Sequence, residues 1–86
     1  ENMKLNKFSV YPNPFNNNVT IRISEDYLGE FDVLIYDVAG QLVYSDLKFK
    51  GQELILNSLS WEKGLYLLKI VDDRGSCIGQ QKIINQ

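Results

Sequence analysis

The sequence predicts an all-β domain, a two-layer antiparallel sandwich of about seven short strands. Three observations point there. Apolar residues recur at every second position in one segment after another, and no long segment keeps a helical stripe. Turn-forming residues interrupt these segments at regular intervals. At 86 residues the chain has room for a single core, so two sheets, each apolar on one face, must cover one another.

The strands follow in order. A short one is expected around Phe8 to Tyr11, ended by Pro12 and Pro14, which fix φ and withhold N–H groups and so force the chain across between sheets. Asn13, ahead of a proline, is pushed toward extended geometry. After the Asn16-Asn17-Asn18 loop, Val19, Ile21 and Ile23 alternate with Thr20, Arg22 and Ser24. Phe31, Val33 and Ile35 repeat the pattern with the β-branched and aromatic residues that strands prefer. Val38-Ala39-Gly40-Gln41 reads as a turn, with Asp37 accepting turn N–H bonds and Gly40 supplying positive φ.

Leu42 to Tyr44 resumes as a strand, and Leu54 to Leu56 follows the Lys50-Gly51-Gln52 turn. Room for one 3₁₀ turn exists near Ser58 to Trp61. Gly64 is expected to let the chain enter the next strand without a Cβ clash. Leu65 to Val71 is apolar on both faces apart from Lys69 and is placed centrally, with Tyr66, Leu68 and Ile70 inward. Asp72-Asp73-Arg74-Gly75 is a tight turn, and Cys77 to Asn85 returns as the last strand. Its alternation is weak, which suits a sheet edge where backbone groups can pair with another chain. The architecture is immunoglobulin-like without the antibody Cys–Trp–Cys pattern.

The chain begins at Glu1, not at a methionine, and we read it as a piece of a longer protein: residues 1–7 as a linker end, residues 8–86 as the domain. Hydrophobic residues make up 44% and charged residues 23%, the mix of a folded domain. The net charge of −2, with both signs interspersed, argues against nucleic acid and anionic membranes, which call for a basic patch. No apolar run is long enough to insert in a membrane as a helix.

The absence of histidine removes the commonest general base and the commonest metal ligand. A single cysteine, Cys77, makes neither a disulfide nor a Cys/His nucleophile pair, and it reads as a small buried or half-buried apolar residue. Asp72 and Asp73 fit a turn better than a calcium site. No catalytic residue, metal or cofactor is expected. Asn18-Val19-Thr20 matches a glycosylation sequon at a strand start, where chance is the plainer reading. Tyr11, Phe15, Tyr27, Phe49 and Trp61 fall in or beside loops, where they either plug the open ends of the sandwich or form a row for sugar rings.

Three patterns in one order carry a resemblance. Tyr11-Pro12-Asn13-Pro14-Phe15 precedes Asn17, Val19 and Ile21; Ile35-Tyr36-Asp37-Val38-Ala39-Gly40-Gln41-Leu42-Val43 follows; Gly64-Leu65-Tyr66 comes next with Leu68 and Ile70. With the closing Lys82-Ile83-Ile84, these resemble the C-terminal sorting domain of type IX secretion cargo from the Bacteroidetes, over nearly everything from Phe8 to Gln86. Gln41 stands where that family usually has a basic residue, and Asn85-Gln86 also departs from its usual finish.

The resemblance implies a secretion signal, not an enzyme. The domain would follow an N-terminal cargo domain into the periplasm, address it to an outer-membrane translocon, and be cut by a sortase-like peptidase as cargo reaches the surface or medium. Pro12, Asn13, Pro14, Asp37, Gly40, Gly64 and Tyr66 are expected to determine the fold. Lys82, Ile83, Ile84, Asn85 and Gln86 form a candidate recognition tail, with completion of a sheet as the plainer alternative. The rival function is an appended binding or spacer module, for carbohydrate or a neighbouring domain. An apolar outer face of Leu34, Tyr36, Leu65 and Leu67 would serve such docking.

Overall fold

A computed structural model describes residues 8–24 and 29–86. The expected linker end, residues 1–7, and Tyr27 lie outside the described residues. Seven strands follow one another: β1 (Phe8–Asn16), β2 (Asn18–Ile23), β3 (Glu30–Tyr36), β4 (Leu42–Lys50), β5 (Glu53–Asn57), β6 (Gly64–Asp72) and β7 (Cys77–Asn85). They form two sheets. One runs β1–β2–β5, and the other runs β4–β3–β6–β7 and ends on the second half of β1. Neighbouring strands within each sheet pair antiparallel, while β1 meets β7 in parallel at Phe15 and Asn85.

Alternation sets what is buried. Val19, Ile21 and Ile23 of β2 face Phe31, Val33 and Ile35 of β3 and Tyr66, Leu68 and Ile70 of β6 across the core, which Phe15, Leu56 and Ile83 complete. Each such side chain contributes roughly 1.5–3 kcal/mol by leaving water. The central placement of β6 holds: Leu68 lies opposite Ile35 on one side and Gln81 on the other.

Four expectations are corrected. The prolines do not end β1. Its pairing with β2 breaks off at Tyr11 and returns only at Asn16 opposite Asn18, while the backbone between stays extended and touches the other sheet at Phe15. Pro12 and Pro14 lack the ladder donor yet tolerate extended φ, so the segment leaves one ladder without leaving strand geometry. Both follow cis peptide bonds. Second, β7 is an edge strand only as far as its tail: β1 pairs with it at Asn85 alone, so the end of the strand is covered while its first part keeps one open side.

Third, β4 runs on to Lys50 because of a bulge. Phe31 pairs with Phe49 but Val33 with Asp46, and Lys48 sits at φ 58° with its N–H bonded to Asp32 Oδ1 at 3.0 Å. Fourth, Cys77 is exposed. A slip in register between Ile70 and Val71 leaves Ile78 to pack on the core and Cys77 outside, its Sγ 3.3 Å from the Gly79 carbonyl. The loop at Ser58 to Trp61 makes one tight turn, with Trp61 N–H donating to the Ser58 carbonyl.

Candidate functional site

The three sequence patterns and the tail meet at one end of the sandwich. Between its two prolines, Asn13 does with its side chain what the backbone cannot. Its Oδ1 accepts from the Ile84 N–H at 3.1 Å, and its Nδ2 donates to the Lys82 carbonyl at 3.2 Å. An amide carries the same donor and acceptor as a peptide group, so it substitutes for a missing strand residue. Two residues on, the Phe15 carbonyl accepts from Gln86 N–H at 2.9 Å. The proline element therefore grips the outer edge of the tail.

The second pattern closes the β3–β4 hairpin through Asp37. Its Oδ1 accepts from Ala39 and Gln41 N–H, both at 2.9 Å, and its carbonyl accepts from Gly40 N–H at 3.0 Å. Gly40 sits at φ 83°, as the turn requires. In the third pattern, Gly64 adopts φ 141°, and a Cβ there would meet nothing within 4 Å. The expected relief of a clash is thus corrected: what calls for glycine at this position is backbone conformation alone.

Tyr66 points into the core, 6% exposed, and its hydroxyl donates to the Glu62 carbonyl. Burial first, then the nearby Glu62 and Asp37 carboxylates, push its pKa above 10.0. Asn85, 5% exposed, donates from Nδ2 to the carbonyls of Trp61 (3.2 Å) and Glu62 (3.1 Å). The loop from Ser58 to Lys63 is thereby tied to both β6 and β7. Neither Asn85 nor Glu62 stood out in the sequence for this role. The available signal was a lone polar residue at an inward position of the alternating run that holds Ile83.

Within the tail, side chains alternate. Ile83 is fully buried and Asn85 nearly so, while Lys82, Ile84 and Gln86 face out. Ile84, 45% exposed, lies opposite Leu65, and Lys82 lies opposite Leu67, which in turn lies opposite Tyr36. The apolar outer face expected from Leu34, Tyr36, Leu65 and Leu67 is there: three are half-buried and Leu65 is 40% exposed. A cleft of about 580 Å³ opens on it, lined by Tyr36, Leu65, Leu67, Lys69 and Lys82 and closed at one end by the Asp37 turn.

Among the described residues, the loop aromatics do not form a platform for sugar. Phe15 is fully buried, and the Trp61 ring packs on Phe15, Tyr44 and Tyr66 with centroids 6.0, 6.4 and 5.3 Å apart. Phe49 packs on the core, and Tyr11 stands exposed beside Glu53. Among the described residues no group of acidic, His or Cys side chains is placed to hold a metal, and no helix could cross a membrane.

No curated protein matches the chain. A family model does, the secretion system C-terminal sorting domain, over residues 9–86. That span takes in Asn13, the Asp37 hairpin, Tyr66 and the tail, the residues that the geometry brings to one end. The chain belongs to the secretion system C-terminal sorting domain family, and it serves type IX secretion as a sorting signal, not as an enzyme.

Proposed function

We propose that residues 8–86 form an immunoglobulin-like tag that the type IX machinery reads through the outward side chains of Lys82, Ile84 and Gln86. The observation that carries this reading is the clamp on the tail. Asn13 and Phe15 already engage the Lys82 carbonyl and the N–H groups of Ile84 and Gln86, which favours reading by side chains over reading by an open ladder there. Ile83 and Asn85 act from behind, holding that display in place.

Two features support the immunoglobulin-like assignment. The sheets β1–β2–β5 and β4–β3–β6–β7 follow the Greek-key division of that fold, with β1 contributing to both. Tyr66, near the start of β6, bonds back to the carbonyl of Glu62 in the manner of a tyrosine corner.

In this scheme the parent protein reaches the periplasm and the tag folds there. Contact with the outer-membrane translocon then passes the cargo to the surface or medium. A sortase-like peptidase cuts at the linker, residues 1–7, so the domain is substrate.

The test is a transplant of residues 1–86 onto a periplasmic fluorescent reporter in a bacterium with a working type IX system. Reporter at the surface or in the medium, lost in a translocon-deficient strain, is the expected result. A folded reporter retained in the periplasm of both strains would sink the reading.

A further inference from the structure

We propose that the outer face centred on Leu65, Leu67 and Lys69 docks an apolar, acid-bearing polypeptide surface of the secretion machinery, as one continuous site with Lys82 and Ile84. The proposal rests on the reading of the tail given above and extends the recognised surface to the middle of the sheet.

The register makes the surface continuous. Because Tyr66, Leu68 and Ile70 fill the core, Leu65, Leu67 and Lys69 of β6 face outward. Rows cross them: Tyr36–Leu67–Lys82, Leu34–Lys69–Gln80, and Leu65 beside Ile84. The tail's exposed side chains are thus the margin of a larger apolar field, and the cleft of about 580 Å³ lies inside it. Contiguous apolar surface of this kind marks partner sites.

Charge names the occupant. Lys69 and Lys82 sit diagonally across one strand pair, and among the described residues neither forms an ion pair; Arg22–Glu53 and Lys50–Glu30 lie elsewhere. The neighbouring carboxylates, Asp32 diagonally across from Lys69 on β3 and Asp37 at the end of the cleft, each accept backbone N–H bonds, Asp32 from Lys48 and Asp37 from its own turn. With Asp37 at its end, the lining of the cleft still carries one net positive charge on a chain whose net charge is −2. Two lysines in an apolar surround are too few for a nucleic acid or a lipid surface, which are held by many cations. They suit one or two carboxylates on a protein that also fills the cleft with an apolar side chain.

The experiment compares Leu65→Gln, Lys69→Glu and Lys69→Arg with the tail pair Lys82→Glu/Ile84→Gln, each in the reporter fusion and each with its Tm measured. The expected result is secretion lowered about tenfold or more by Leu65→Gln and by Lys69→Glu, the scale of one lost anchor. Their Tm stays near wild type, and Lys69→Arg is secreted normally. Normal secretion of Leu65→Gln and Lys69→Glu beside loss in the tail pair would overturn the docking face and leave the tail reading standing. Normal secretion of all four would remove both. Loss that tracks Tm, or binding to phosphatidylglycerol vesicles abolished by Lys69→Glu, would also overturn it.

Discussion

Asp37 and Asp72 close their hairpins with the same hydrogen bonds. Each Oδ1 accepts from the N–H groups two and four residues on, each carbonyl accepts from a glycine N–H, and each N–H donates to the carbonyl four residues on. Gly40 and Gly75 match as well, at φ 83° and 84°. One turn design therefore caps both strands of the β3–β6 pair, at opposite ends of the sheet.

Asparagine keeps the oxygen at these positions and alanine does not. Asp37→Asn and Asp72→Asn should each cost well under about 1 kcal/mol, and the alanine variants about 1–2 kcal/mol. Chemical denaturation with a fixed m-value checks this. Equal losses from Asn and Ala at either site would mean that charge, not the oxygen acceptor, carries the effect.

Asn13 needs both ends of its amide. Asn13→Ala should cost about 1–2 kcal/mol by freeing Ile84 N–H and the Lys82 carbonyl. Asn13→Asp keeps the acceptor but sets a carboxylate against a carbonyl, which raises its folded pKa. Its penalty should be largest at neutral pH and shrink as acid protonates the new carboxyl, relative to wild type at the same pH. A penalty independent of pH would contradict the contact.

Tyr66 links stability to alkaline pH. Its folded pKa is raised above 10.0, so the folded state holds the phenolic proton more tightly than the unfolded chain. That contribution is whole below about pH 10 and is lost as pH climbs through the folded value. Tyr66→Phe should cost about 1–2 kcal/mol at neutral pH, from the lost bond to Glu62, and should flatten the alkaline fall. Part of the fall remains, because burial and Asp46 also raise the pKa of Tyr44. Melting curves between pH 7 and 11 measure both effects.

Gly79 is made for Phe8, whose ring occupies the space of a Cβ. Gly79→Ala should destabilise by about 1–3 kcal/mol. Combined with Phe8→Ala, the penalties should fall short of their sum, since the second change removes what the first strikes. Strict additivity would show that the two residues are not in contact.

Strand order along the chain and the inward face of β2, β3 and β6 were legible because period-two alternation is written in side chains. Both aspartate turns were legible for the same reason, through Asp37, Gly40, Asp72 and Gly75. Features set by backbone were not. Lys48 at positive φ has no residue signature, so the bulge and the true length of β4 stayed hidden. The exposure of Cys77 depends on a slip between β6 and β7 that no local pattern records. At the site, the motif residues were found but their meeting was not. Asn13 and Ile84 stand 71 positions apart, and only the change of sheet within β1 joins them.

That separation has a consequence for when the address can be read. Closing Asn13 on Ile84 joins nearly the first described residues to nearly the last, the costliest kind of contact for a folding chain to form early. Lys82 and Ile84 take up their fixed outward posture only once that ring is shut. A translocon that recognises the posture therefore also checks for completion: a cargo still unfolded, or cut short before its end, carries the letters of the address without displaying them.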